Sequence, residues 1–467
     1  MDTADDERKR RGAWFTPDHL VDEIVEAVVD ADFVRSRGPR PVRVLDPACG
    51  DGRFLTAVVA ATRRHGGDAR AVGVDIDADT AAAASVAVGV DVVCDDALRS
   101  SALSARAGTF DLVIGNPPYL SQLAAATTRG GASARGGGPY ADAAVEFLAL
   151  AAEMVAPTGG RVAFVLPQSI LSARDAEEVR RRIDARATMF WSAWTGTRDF
   201  DAQVVTCAVA FEFGTASPTT DVGSWAHVVT SRTGVPPVPP SLDAADPVAG
   251  RLGDRARLNA NFRDEYYGMV DAVGDHDAGP PLVTSGLIDP GRCLWGRRPV
   301  RFAKRRFTAP RLDLSRLEGR MVDWAADRLV PKVLIANQTP IIEAVCDPTG
   351  AWLPGVPVVA AYPQPATAAA AWEIAAVLSA PSVSAWAWHR RGGTGMSPDA
   401  IRLGPTMLAE LPWPAGSIEA AVAALRDGDV VTCGALVDAA YGIDDRARTA
   451  LSAWWRPIHD RIAARAY

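Results

Sequence analysis

Asn116, Pro117, Pro118 and Tyr119 close an apolar run that starts at Leu112, and their side chains suit one kind of chemistry. Leu112-Val-Ile-Gly115 reads as a buried strand stopped by the two prolines, which leaves Asn116 and Tyr119 at its carboxyl edge. Open α/β sheets place their ligands at that edge. Proline fixes φ and carries no N–H, so the turn is stiff and nearby carbonyls stay free to accept. The Asn116 amide oxygen and the Pro117 carbonyl offer two neutral acceptors for the two hydrogens of a planar amino group. Held that way, the nitrogen lone pair leaves conjugation with its ring and points at an electrophile, which is catalysis by orientation and fixed dipoles. Tyr119 is placed to stack on the ring bearing the amine. Taken alone, the tetrapeptide also describes a strand-ending turn with a capping Asn.

The elements before it end in polar residues too. Val42–Leu45 is a short strand running into Asp46-Pro-Ala48-Cys-Gly50-Asp-Gly52, with a helix expected from Arg53. Gly50 and Gly52 let backbone pass close to a ligand, and a helix N-terminus presents unpaired N–H groups. A strand from Ala71 ends at Asp75, while Asp77 suits capping of the Ala-rich helix that starts near Thr80. A third strand, Asp91–Cys94, ends at Asp95 and Asp96. Near the N-terminus, Asp18–Val29 carries apolar residues at helical spacing, with Thr16 read as N-cap and Pro17 as the first helical residue.

Ile114-Gly-Asn-Pro-Pro-Tyr119, preceded by Val44-Leu-Asp-Pro-Ala-Cys-Gly-Asp-Gly-Arg-Phe-Leu55 and by Gly12-Ala-Trp-Phe-Thr-Pro17, resembles the amino-methyltransferases that use S-adenosylmethionine. The motif order is similar to the gamma class of DNA adenine-N6 methyltransferases with a C-terminal target-recognition domain. The likeness holds by motif over roughly residues 10–213 and by pattern alone from about 260 onward. It implies a Rossmann-like α/β methyltransferase domain followed by a mixed α/β recognition domain, the two forming a cleft for duplex DNA. It also implies S-adenosyl-L-methionine as cofactor, with Thr16, Asp46, Ala48, Gly50, Gly52, Asp75, Asp96 and Asn116 holding it. In that scheme Thr16 binds the methionine part, with Trp14 and Phe15 as packing walls, and Asp75 accepts from both ribose hydroxyls. Asp96 reads the cofactor adenine, with Asp95 as the alternative. Asn116, Pro117 and Tyr119 carry catalysis, and Phe200 packs on the other face of the target base unless it is ordinary core. The target adenine must leave the base stack, and no metal is required.

The expected boundaries are 1–225 for the methyltransferase domain, 226–260 for a linker containing Pro236-Pro-Val-Pro-Pro240, and 261–467 for target recognition. The net charge of −7 argues superficially against a nucleic-acid partner. Residues 1–225 carry 23 Arg+Lys against 31 Asp+Glu, while 226–467 carry 26 against 25, so the acidic surplus lies in the first half. Local patches decide phosphate binding. Arg297, Arg298, Arg301, Lys304, Arg305 and Arg306, among Trp295, Phe302 and Phe307 and with almost no acids, suit a DNA-contacting surface. The Gly-rich stretch 121–140 reads as a mobile loop that closes on DNA through Arg129 and Arg135, or as a disordered insertion. His389, Arg390 and Arg391 are further candidates, with a structural role preferred for His389 alone.

The six cysteines have no metal spacing and read as reduced, mostly buried thiols of a cytoplasmic protein. No apolar run reaches membrane-spanning length, and the acidic start fits neither a signal nor a transit peptide. Too few residues precede Arg11 for a nuclease, so cleavage would need a separate restriction endonuclease or defence-system subunit, and a monomer is expected. Asn-Pro-Pro-Tyr also serves enzymes that methylate a protein glutamine or a ribosomal RNA amine. A non-catalytic DNA-binding subunit that retains the fold is the other alternative.

Overall fold

The computed structural model describes residues 16–88, 91–119, 135–138, 141–194, 196, 205–214, 225–242, 248–260, 263–395, 397 and 399–465. Trp14, Phe15, Arg129 and Phe200 lie outside the described residues. The chain divides into two compact units, Met1–Arg232 and Thr233–Tyr467.

The first unit is built on a seven-stranded sheet in the order β3-β2-β1-β4-β5-β7-β6. Here β1 is Val42–Asp46, β2 Ala69–Asp75, β3 Asp91–Cys94, β4 Leu112–Gly115, β5 Arg161–Pro167, β6 Ala187–Ala193 and β7 Thr206–Phe213. The first five strands run parallel, and β7 is antiparallel to both of its neighbours. The order reverses between β1 and β4, so the carboxyl ends of those strands flank the switch point where such sheets bind ligands. Val44, Leu45, Leu112, Val113 and Ile114 are fully buried, as expected of strands covered on both faces.

Helix α1 (Asp18–Val28) buries one stripe, Val21, Ile24, Val25 and Val28, whereas α4 (Ala143–Met154) is buried along nearly its whole length. Between them in sequence, α2 (Arg53–Arg64) follows β1 and α3 (Ala78–Val88) follows β2. Asp111 pins the start of β4 to the start of β1. Its fully buried carboxylate accepts from Arg40 at 2.6 and 2.8 Å and from the Arg43 N–H at 2.9 Å. Burial pushes this carboxyl up, but those donors outweigh it and hold it below the usual range.

The second unit is mixed α/β. Its main sheet is antiparallel, with Ala344–Asp347, Lys332–Ala336, Val358–Pro363 and Ala256–Ala260 side by side. The edge strand Ala256–Ala260 falls inside the stretch expected to be linker, and Leu252 just ahead of it is fully buried. Apolar helices Ala368–Leu378 and Pro381–Arg391 meet at 68° and bury Ile374, Leu378, Val383 and Trp386. Among the described residues no single helix is long and apolar enough to cross a membrane. Cys49, Cys207, Cys346 and Cys433 are buried free thiols, Cys293 is half-buried and Cys94 exposed.

Candidate active site

Four strands of the first unit end in the polar residues singled out above. Asp46 closes β1, Asp75 closes β2, Asp95 and Asp96 follow β3, and Asn116 follows β4, all at the carboxyl edge of the parallel sheet.

The turn after β1 is held by its own carboxylates. Gly50 and Gly52 adopt φ of +53° and +77°, the left-handed region where a side chain would be strained. The Gly50 N–H donates to Asp75 Oδ2 at 2.9 Å and the Asp77 N–H to Asp75 Oδ1 at 2.9 Å. Each Asp75 oxygen thereby uses one lone pair on backbone and keeps another for a ligand hydroxyl. Asp46 accepts from the Ala48 N–H at 3.1 Å and is 1% exposed, its carboxylate lying against Gly115, where an added Cβ would come within 2.5 Å of Oδ1. Burial pushes the Asp46 carboxyl up to about 8, with Asp75 and Asp51 adding repulsion against a partly compensating Ala48 N–H. Asp96 accepts from the Leu98 N–H at 3.0 Å with Arg99 at 3.7 Å, and Asp95 accepts from the Asp96 N–H at 2.8 Å. Asp77 caps α3 through the Thr80 N–H at 2.9 Å, the plainer of the two roles open to it.

Thr16 corrects one expectation. The N-cap of α1 is Pro17, whose carbonyl accepts from Leu20 and Val21 at 3.0 and 3.1 Å, and Thr16 lies one residue ahead. Its hydroxyl is committed elsewhere, accepting from the Asn116 side-chain amide at 3.0 Å. Two residues separated by most of a domain in sequence therefore meet at the edge of β4. Arg53 joins the same cluster: its guanidinium pairs with Asp51 at 2.6 Å, reaches Asp18 at 3.2 Å and donates to the Thr16 carbonyl. Arg53 was not singled out from sequence, because nothing in its spacing says that a helix-opening arginine will tie the N-terminal segment to the glycine turn.

Tyr119, expected to stack on the ring that bears the amine, also makes a contact within the chain. It is 8% exposed, and its hydroxyl donates to Asn116 Oδ1. Burial, reinforced by Cys207 and Asp142, holds the phenol well above its ordinary pKa, so it stays a neutral donor. Asn116 itself is half-buried, while Pro117 is buried. Glu146, another residue unremarked in sequence, is fully buried in α4 and accepts from the Arg135 and Gly137 N–H groups at 3.1 and 3.0 Å. The Arg135 side chain is taken by Glu153 at 3.0 Å and the Leu98 carbonyl at 2.9 Å, which leaves it engaged within its own unit and unlike the phosphate contact expected of it.

In the second unit the basic stretch divides. Arg298 pairs with the buried Asp289 at 3.0 and 3.1 Å, and Arg311 stacks over Trp295 at 4.5 Å while donating to the Gly279 carbonyl. Arg297, Arg301, Lys304, Arg305 and Arg306 are exposed. The interleaved aromatics are not a base-stacking surface: Phe302 and Phe307 belong to the apolar core, and Trp295 donates to the Pro310 carbonyl. Alternation along a short strand sends every second side chain inward, which a composition count does not reveal. His389 contacts the Pro236 carbonyl at 2.9 Å, and Arg390 lies over Trp386.

With this geometry in place, the chain can be set beside known proteins. Residues 1–186 match the model of the family N-6 DNA Methylase. A 116-residue stretch is 29% identical to the Type II methyltransferase M.CvrRI of Paramecium bursaria Chlorella virus XZ-6E, covering 25% of this chain and 26% of that protein. The chain thus matches about a quarter of the length of that curated relative. Among solved structures, the Type IIL restriction-modification enzyme MmeI, determined in complex with DNA, superposes with a TM-score of 0.55 at 12% identity, over 99% of this chain and 80% of that one. The type IIG restriction endonuclease BpuSI gives a TM-score of 0.41 at 11% identity, over 100% and 67%. The chain therefore shares its fold with MmeI, a Rossmann-like parallel α/β unit with a mixed α/β unit after it in sequence.

Proposed function

We propose that this protein is a site-specific DNA methyltransferase that transfers a methyl group from S-adenosyl-L-methionine to N6 of an adenine flipped out of duplex DNA, within a restriction-modification or phage-defence setting. The observation that carries the reading is the Asn116 amide at the carboxyl edge of β4, its nitrogen on Thr16 and its oxygen turned to a donor, beside the left-handed glycine turn and Asp75. The N-6 DNA Methylase match over residues 1–186 supports it.

The residues fit the cofactor. Asp75 has lone pairs for a diol, Gly50 has open space where a Cβ would stand, and α2 begins directly behind the turn. When bound, S-adenosyl-L-methionine supplies an electrophilic methyl on a sulfonium. Asp46, Ala48, Gly50, Gly52 and Asp75 hold it, with Asp96 or Asp95 at its adenine. The chain's own work is orientation. Asn116 Oδ1, which accepts from the Tyr119 hydroxyl, takes one hydrogen of the amine. The Pro117 carbonyl takes the other hydrogen. Unstacking the base costs a few kcal/mol, partly returned when the Tyr119 ring leaves its inward position and stacks on it.

Sequencing DNA from cells with and without the protein, read for N6-methyladenine by position, tests the reading. A mark confined to one sequence context and dependent on the protein is expected. Unmarked DNA, with methyl groups instead on ribosomal RNA or a protein glutamine, would overturn it.

A further inference from the structure

Arg301 and Arg306 stand directly opposite each other across the antiparallel pair Val300–Phe302 and Arg305–Phe307, and both are exposed. Like charges in directly opposed positions repel, and a two-stranded ribbon has no third strand from which to draw a counter-charge. Arg298 in the same stretch has Asp289; among the described residues no carboxylate pairs with Arg301 or Arg306.

The rest of the ribbon is firmly mounted. Val300, Phe302 and Phe307 are buried in the core of the second unit, and the Tyr266 ring lies 4.9 Å from that of Phe302. At its foot, the Asp275 carboxylate accepts from the Thr308 and Ala309 N–H groups at 2.8 and 2.9 Å. At its tip, Ala303 and Lys304 take φ of +48° and +63°, the two non-glycine residues with positive φ among those described. A two-residue hairpin turn with both φ positive normally takes Asn-Gly, where the backbone is least strained. The lysine there sets an exposed ammonium group at the tip of the ribbon, and backbone strain of this kind clusters at ligand-binding segments.

We propose that this ribbon is a DNA-contacting finger whose outward face, Arg301 and Arg306 with Lys304 at the tip, neutralises backbone phosphates of duplex DNA. Phosphate between the opposed arginines turns their repulsion into attraction, and a two-stranded ribbon is narrow enough to follow a major groove. The proposal rests on the DNA reading above and deepens it by separating the cations that contact phosphate from those, Arg298 and Arg311, that hold the unit together.

The test is binding of the full chain to a random-sequence DNA duplex over a range of salt, with thermal unfolding measured on each variant. Each phosphate contact contributes about 0.9 to the slope of log affinity against log salt, so R301A/R306A is expected to flatten the slope by about 1.8. Lys304→Gly is expected to flatten it by about 0.9 while leaving Tm equal or higher, because glycine relieves the left-handed turn. Arg298→Ala is expected to lower Tm and leave the slope alone. Unchanged slopes in folded R301A/R306A and K304G proteins would overturn the finger. If the wild type still methylates duplex DNA in that case, the functional reading survives. A wild type that neither binds nor methylates the duplex removes both.

Discussion

The side-chain amide of Asn116 has two ends, and its chemistry depends on which faces the target. With its nitrogen on the Thr16 hydroxyl and its oxygen on Tyr119, the amide is held in one of two orientations. Thr16→Val keeps the shape and removes the hydroxyl. A hydrogen bond of this kind is worth about 1 kcal/mol, so turnover at saturating cofactor should fall about five-fold or more, with Thr16→Ser restoring it. A Thr16→Val enzyme with altered cofactor affinity but unchanged kcat would show that Thr16 does not orient the amide. Tyr119→Phe keeps the ring and removes only the hydroxyl, so it should retain more activity than Tyr119→Ala, which should lose about ten-fold or more through lost stacking, as read by single-turnover methylation. Asp46 supplies a pH signature. Its pKa is raised from 3.8 in the unfolded chain to about 8, so the folded state holds the proton more tightly. That contribution to stability is full below the unfolded pKa and is lost as pH climbs to about 8. The fall in Tm between pH 5 and 9 should therefore be shallower in Asp46→Asn than in the wild type, and parallel curves would contradict the assignment.

Among the elements, the strand Lys332–Ala336 opens on one half of a fully buried ion pair. Lys332 is 0% and Asp347 1% exposed, joined at 2.6 Å, and Asp347 also accepts from the Ala351 and Trp352 N–H groups. Lys332→Met leaves that carboxylate buried and unpaired, so urea unfolding should show a loss of about 3–5 kcal/mol. A loss under about 1 kcal/mol would mean that Asp347 takes up a proton or water without strain. The elements of the first unit were legible in the sequence where a short apolar run met a sharp stop: β1 at Asp46, β3 at Asp95 and β4 at Pro117. Glu146, whose charge interrupts an otherwise apolar helix, is bonded to backbone N–H groups outside its helix, a role no local pattern encodes. Likewise β6, with polar and exposed positions such as Phe190, shows no clean alternation, and Ala256–Ala260 looks like linker because its pairing partner lies a hundred residues away. In the candidate site, the strand-end residues were visible from motif order. Contacts between distant segments, Thr16 with Asn116 and Arg53 with the Thr16 carbonyl, arise only when the sheet brings them together.

For the whole molecule, a net charge of −7 does not decide against a nucleic-acid partner, because the acidic surplus lies in residues 1–225 while the short ribbon of the second unit exposes Arg301, Lys304, Arg305 and Arg306 together. The central claim is that two neutral oxygens, of the Asn116 side chain and the Pro117 carbonyl, orient the amine. Its most direct test pairs two readings on purified protein: binding of S-adenosyl-L-methionine by calorimetry, and transfer of its labelled methyl to duplex DNA followed by nucleoside analysis. Wild type should yield labelled N6-methyladenine. Asn116→Ala should bind the cofactor within a few-fold of wild type yet lose at least about 10²–10³-fold in transfer, the scale seen when one preorganised polar group is removed from a reacting centre. An Asn116→Ala protein that methylates DNA at the wild-type rate would contradict the central claim.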